Sequence, residues 1–267
     1  MKINVLGMSL SVAFALLATM PLWLNAPKSV ASLASQEVSE QSDSQIQADL
    51  SREFSSNRFR NIQVSVSNGV ITLEGSVDLF ADREAAEKKA LHAKKGIAIR
   101  NVIRVTGAPI SDQDLQARLV KKLEYDRVGY GTTTFNAISV GVRNGVVTLG
   151  GHAYGPTDKS SALSVASYMP GVQDVIDGIE VDPVSPMDDR IRLNVARLIY
   201  GYPALMKYSI DPGRPIRISV QNGHVTLYGV VDSKADSDRA NIRANGAQGV
   251  FSVTNELQVE GARSERD

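Results

Sequence analysis

Three groups of residues in this sequence have types and spacings that could do chemistry: the histidines, a recurring aspartate, and a stretch rich in tyrosine and basic side chains. The histidines are His92, His152 and His224. No two of them share an element at the spacing a metal site needs, so they read as solvated or packing residues. The aspartates are Asp82, Asp158 and Asp236, each fourteen residues beyond an Asn-Gly pair. A carboxylate repeated in this way suggests catalysis. A structural role explains the repetition better, because an acid in or beside the first turn of a helix caps N–H groups and complements the helix dipole. Gly150-Gly151 near Gly155 lacks the spacing of a phosphate loop, and no G-x-S-x-G nucleophile motif occurs. The chain has no cysteine, which excludes disulfides, thiol catalysis, Cys-ligated zinc and lipid attachment through cysteine. The expectation is a protein that is not an enzyme and needs no cofactor or metal.

The third group lies in Tyr200–Pro215, YGYPALMKYSIDPGRP. It holds Tyr200, Tyr202, Leu205, Met206 and Tyr208, with Lys207 and Arg214 among them and Arg197 and Arg217 at its flanks. Amphipathic aromatics beside cations suit a membrane interface with anionic headgroups. The same residues would equally suit packing against a neighbouring module or extending the local core. At about 1 kcal/mol per cation near an anionic surface, lipid binding through so few charges would be weak and salt-sensitive.

The elements that position these residues are set by a hairpin. Ile62–Gly75 reads IQVSVSNGVITLEG. Asn68-Gly69 fits a two-residue type I′ turn, since both residues tolerate positive φ. Val66 then faces Ile71 and Val64 faces Leu73, which places the apolar side chains on one face. The hairpin recurs at Ile138–Gly151 around Asn144-Gly145 and at Ile216–Gly229 around Asn222-Gly223. A repeat of this kind means several copies of one module.

Each copy opens with a helical pattern: Ile46, Leu50 and Phe54; Leu115, Leu119 and Leu123; Ile191, Val195 and Ile199. Ser111 with Asp114, and Ser185 before Pro186, are helix-start signals. A second helix follows each hairpin, then a glycine suited to a helix C-terminus and an apolar strand. The shared Gly75, Gly151 and Gly229 predict a bulge or a close backbone approach under a helix. The fold class is therefore α+β, with three tandem α-β-β-α-β modules, each a three-stranded sheet covered by two helices. The modules are placed at 43–107, 110–182 and 187–261, with linkers short enough to keep them close. Before them, residues 1–31 read as an export signal, or as an uncleaved inner-membrane anchor, and 32–42 as a flexible leader. Either alternative puts the modules outside the cytoplasm.

With N-G-x-[IV]-T-L-x-G in every hairpin, the chain resembles the BON domain family. The closing strand carries the second motif, G-V-x-x-V-x-N-x-L-x-V. Gly249–Val259 fits it throughout, Gly171–Val181 has Asp177 in place of Asn, and Gly96–Val105 departs by a deletion. The resemblance implies a non-catalytic periplasmic protein that contacts phospholipid or outer-envelope components under osmotic or envelope stress. It also leaves open a periplasmic chaperone or adapter with a protein partner, or an architectural part of a secretion assembly. A formal net charge of zero argues against a general nucleic-acid binder. The copies differ most between first helix and hairpin, at Glu124–Ala137 and Tyr200–Pro215, so a partner is expected there.

Overall fold

The computed structural model describes residues 42–93 and 98–261. The expected export segment, the leader up to residue 41 and Gly96 lie outside the described residues. The first module comprises α1 (helical over 42–53), β1 (Ile62–Ser67), β2 (Val70–Val77), α2 (Phe80–Ala93), β3 (Ala98–Asn101) and β4 (Arg104–Val105). The second comprises α3 (Asp112–Tyr125), β5 (Ala137–Arg143), β6 (Val146–Ala153), α4 (Pro156–Ser167) and β7 (Asp174–Val181). The third comprises α5 (Pro186–Tyr200), the short α6 (Lys207–Ile210), β8 (Arg217–Gln221), β9 (His224–Val231), α7 (Lys234–Asn245) and β10 (Ser252–Val259).

Each hairpin forms in the expected register. Val66 faces Ile71 and Val64 faces Leu73. Asn68, Asn144 and Asn222 all take φ of 52°, and the glycine after each is also positive, as a type I′ turn requires. The second hairpin strand is central. Its antiparallel neighbour precedes it, and the closing strand lies parallel on its other side. A parallel neighbour needs a crossover, which the second helix supplies. Ile71, Leu73, Val147, Leu149, Val225 and Leu227 point from the central strands into the helix layer and are buried.

The closing strand of the first module is split into β3 and β4, yet both parts keep one offset against β2, with Val70 facing Ala98 and Val77 facing Val105. Val146–Asp174 and His224–Ser252 repeat that offset in the other modules. The deletion expected in this strand is therefore absent from it. Asn101 stands where Asp177 and Asn255 stand. Each of these three side chains accepts the N–H two residues on, from Ile103, Ile179 and Leu257, at 3.2, 3.0 and 3.2 Å.

Two glycine expectations need correction. Gly75, Gly151 and Gly229 do make a close approach at positive φ, but to the backbone at or just before the start of the preceding strand and not to a helix. A Cβ would fall 2.0, 2.1 and 2.7 Å from the carbonyl oxygens of Asn61, Ala137 and Pro215. Gly171 and Gly249 also take positive φ, but they sit past the helix ends, and a Cβ there would press on Ile110 and Ile191.

The first two modules share one apolar cluster, and the third has its own. Modules two and three join through a polar network, beside which Phe135 of the second packs against the third's cluster. Asp182 accepts from Arg192 Nη2 at 3.2 Å, Ser219 Oγ at 3.0 Å and Gln221 Nε2 at 3.1 Å. Gln221 also meets His152 Nδ1 at 3.0 Å, and Arg217 donates to the carbonyls of Thr133 and Asn136.

Candidate functional site

Two triplicated aspartates hold the local frame. The first set escaped the sequence reading. In the first module Asp43 accepts from the turn N–H of Gly69 at 3.3 Å. Asp112 accepts from Asn144 and Gly145 at 2.6 and 2.9 Å. Asp188 accepts from Asn222 and Gly223 at 3.1 and 2.8 Å. Each carboxylate sits at the start of the first helix and clips the hairpin turn to it. The available signal was an acid in that first turn. The loop insertions between helix and hairpin change its distance from the turn and hide the repetition.

The second set is the expected one. Asp82, Asp158 and Asp236 all lie in the first turn of the second helix. Ser233 caps α7, its hydroxyl accepting from the Asp236 N–H at 3.1 Å. The aspartates themselves reach across to the loop before the hairpin. Asp82 accepts from Arg58 Nε at 2.6 Å. Asp158, which is buried, accepts from Arg127, Thr132 and Asn136. Asp236 accepts from the Tyr208 hydroxyl at 2.9 Å and from Lys207 Nζ and Arg239. The Asp236 carboxyl is held below the usual range: burial alone would raise it, and the Lys207 and Tyr208 donors outweigh burial. Ser111 and Ser185 cap α3 and α5, each accepting from the N–H three residues on.

Among the residues expected to meet a partner, the structure separates two groups. Tyr200, Leu205 and Tyr208 turn inward. Leu205 and Tyr208 are buried in the third module's cluster, and Tyr200 packs against it. The Tyr200 hydroxyl donates to the Ile216 carbonyl at 2.6 Å, and burial pushes its phenol up to about 12. Tyr202 is half-buried under the guanidinium of Arg243, 4.2 Å from its ring centre. Met206, Lys207 and Arg214 face outward. The cations are already paired, Lys207 with Asp232 at 2.6 Å and Arg214 with Glu260 at 2.7 Å. Asp232 and Asp236 hold the Lys207 ammonium well above its usual range.

The structure also brings the two long pre-hairpin loops together. Val128, Gly131 and Thr133 of the second module face Tyr200, Tyr208 and Pro212 of the third across a hollow of about 250 Å³. Tyr130, 72% exposed, and Ile210, 74% exposed, belong to these two loops. The Tyr130 ring is braced by Arg127, 3.9 Å from its centre. His152 meets Gln221 and His224 meets Ser252, and among the described residues no group of three or more His, Cys, Asp or Glu could hold a metal ion.

Repeated sheets roofed by two helices, alike in hairpin and second helix and unlike chiefly in the loop between first helix and hairpin, define a tandem-module protein. The chain belongs to the BON domain family, whose model matches residues 42–107, 111–183 and 204–261. The osmotically-inducible protein Y of Escherichia coli (strain K12) is 33% identical over 124 residues, covering 46% of this chain and 62% of that protein. The chain thus spans less than two thirds of the length of that relative. Two solved structures of CdsD, a structural protein of the type III secretion system of Chlamydia trachomatis, align at 15% and 14% identity. They cover 80% and 74% of this chain and 90% of each CdsD chain, with TM-scores of 0.22 and 0.21.

Proposed function

We propose that this protein is a non-enzymatic periplasmic envelope protein that docks on phospholipid membranes during osmotic or envelope stress. Family membership and the osmotically-inducible relative support the envelope setting. The observation that carries the membrane reading is the convergence of the two divergent loops, with Tyr130, Met206 and Ile210 exposed on them. Exposed apolar and aromatic side chains of this kind partition into the headgroup boundary. Because Lys207 and Arg214 already have carboxylate partners, attachment rests more on these apolar residues than on charge.

Flotation with vesicles of phosphatidylglycerol and phosphatidylethanolamine tests the proposal. The protein should float at low salt, retain part of that binding at high salt, and lose it when Tyr130→Ser and Ile210→Ser are combined. Tyr202→Ala with Lys207→Ala should weaken it less. Absence of flotation at low salt overturns the membrane reading. Suppression of aggregation of an unfolded outer-membrane protein by a non-floating chain would favour the chaperone alternative.

A further inference from the structure

A second recess lies away from the loop hollow, between the first and second modules. Arg83 of α2 pairs with Asp174 at 3.3 Å, and Ser167 of α4 donates to Glu84 at 3.1 Å. These contacts pin α2 against β7 and α4. Alongside them runs a trough of about 570 Å³, within the roughly 300–1,000 Å³ of small-molecule sites. On one wall Ala81, Glu84, Ala85 and Lys88 form one face of α2. On the other, Ser160, Leu163, Ser164 and Ser167 form one face of α4.

The chemistry of the lining is specific. Its charges balance, Arg58 and Lys88 against Glu84 and Asp177, so neither an anion nor a cation is drawn in by net charge. Three of these groups are positioned by side chains that hold them in place. Arg58 Nε is bound to Asp82 at 2.6 Å, Asp177 to Lys159 at 2.8 Å and Glu84 to Ser167. A site whose polar groups are already oriented loses little on binding. The carboxylates accept, the guanidinium donates and the serine hydroxyls do both, which matches hydroxyl groups that themselves donate and accept. Leu163 and Val175 give the trough apolar surface. Tyr168, 58% exposed, adds an aromatic ring at its edge, where it can cover the C–H face of a sugar ring. An acyl chain would strip water from these polar groups and offer no hydrogen bond in its place, at a cost for each.

We propose that this trough binds a neutral, hydroxyl-rich ligand of the carbohydrate class. The test is an NMR titration of the full chain with chitotetraose and with maltotetraose, with inorganic phosphate as the anionic control. At least one sugar should shift amide signals clustered on α2 and α4 at millimolar concentration. Ser164→Trp, at an exposed position, should fill the trough and weaken binding by about tenfold or more with little change in melting temperature. Tyr168→Ala should weaken it by a smaller factor and provides an independent variant if the first is poorly folded. No clustered shifts with either sugar, stronger shifts of the same amides with phosphate, or sugar binding unchanged in both variants would overturn the proposal. Membrane flotation is read separately, so loss of one activity does not decide the other.

Discussion

The clip between first-helix aspartate and hairpin turn offers a graded perturbation, because the same contact occurs at three depths. Asp188 is 1% exposed and accepts two turn N–H groups, one of them the buried Gly223 amide. Asp112 is half-buried and accepts two. Asp43 reaches one, with both oxygens at long range, 3.3 and 3.4 Å. A hydrogen bond to a charged group contributes roughly 1.5–3 kcal/mol net, and a buried N–H left unpaired costs roughly 1–3 kcal/mol. Asp188→Ala should therefore destabilise the third module by about 3 kcal/mol, Asp112→Ala the second by about 2, and Asp43→Ala the first by about 0.5 or less. Asp188→Asn keeps one acceptor oxygen, and its loss should be near half that of the alanine variant. Native-state amide exchange reads the effect locally. At about 1.4 kcal/mol per decade, the Gly223 amide should exchange about a hundredfold faster in Asp188→Ala, and the Gly69 amide in Asp43→Ala should change little. Equal acceleration in the three variants, or the largest effect at Asp43, would refute the claim that burial sets the strength of the clip.

Two further outcomes follow from the third module. Asp182→Ala removes one of two carboxylates from buried Arg192, which keeps Asp189 at 2.7 Å and the Val220 carbonyl, and takes the acceptor from Ser219; leaving a buried charge wholly unpaired costs roughly 3–5 kcal/mol, so with Asp189 retained urea unfolding should show a smaller loss of about 2 kcal/mol, and a loss below about 1 kcal/mol would mean the network contributes little to docking of the third module. The Tyr200 phenol is raised in the folded state, so its contribution is fully present below the unfolded value of 10.0 and is lost as pH rises towards about 12; alkaline unfolding should be shallower by up to about 3 kcal/mol in Tyr200→Phe than in the parent, and identical curves would count against burial as the cause.

The hairpins were legible in the sequence because their signals are local. Asn-Gly sets the turn, and alternation on both flanks sets the register. The capping serines before α3 and α5 were legible for the same reason. Contacts across variable insertions were not. Asp188 and Gly223 lie on either side of a loop that is shorter in the first module, so no fixed spacing announces their bond. Asn101 was obscured in another way. Counting from Gly96 suggests a shortened strand, whereas counting from Asn68 places Asn101 with Asp177 and Asn255. The strand pairing follows the second count, because β2 sets the register of its neighbour and the glycine does not. In Tyr200–Pro215 the composition told which residues are amphipathic. It could not tell that Tyr208 would bury its ring and spend its hydroxyl on Asp236.

That last contact explains how the loops could diverge while the modules stayed alike. The second-helix aspartate is constant, and its donors change with the loop: Arg58 in the first module; Arg127, Thr132 and Asn136 in the second; Lys207 and Tyr208 in the third. A buried or half-buried carboxylate needs donors wherever it stands, so each insertion had to return at least one cation or hydroxyl to it. This requirement fixes the polar residues of the loops as internal ties. It leaves Tyr130 and Ile210, which take no part in binding the aspartate, turned out to solvent. Exposed apolar side chains of that size on tethered loops are not required by the fold, and the membrane contact proposed above, which the flotation experiment tests, would account for them.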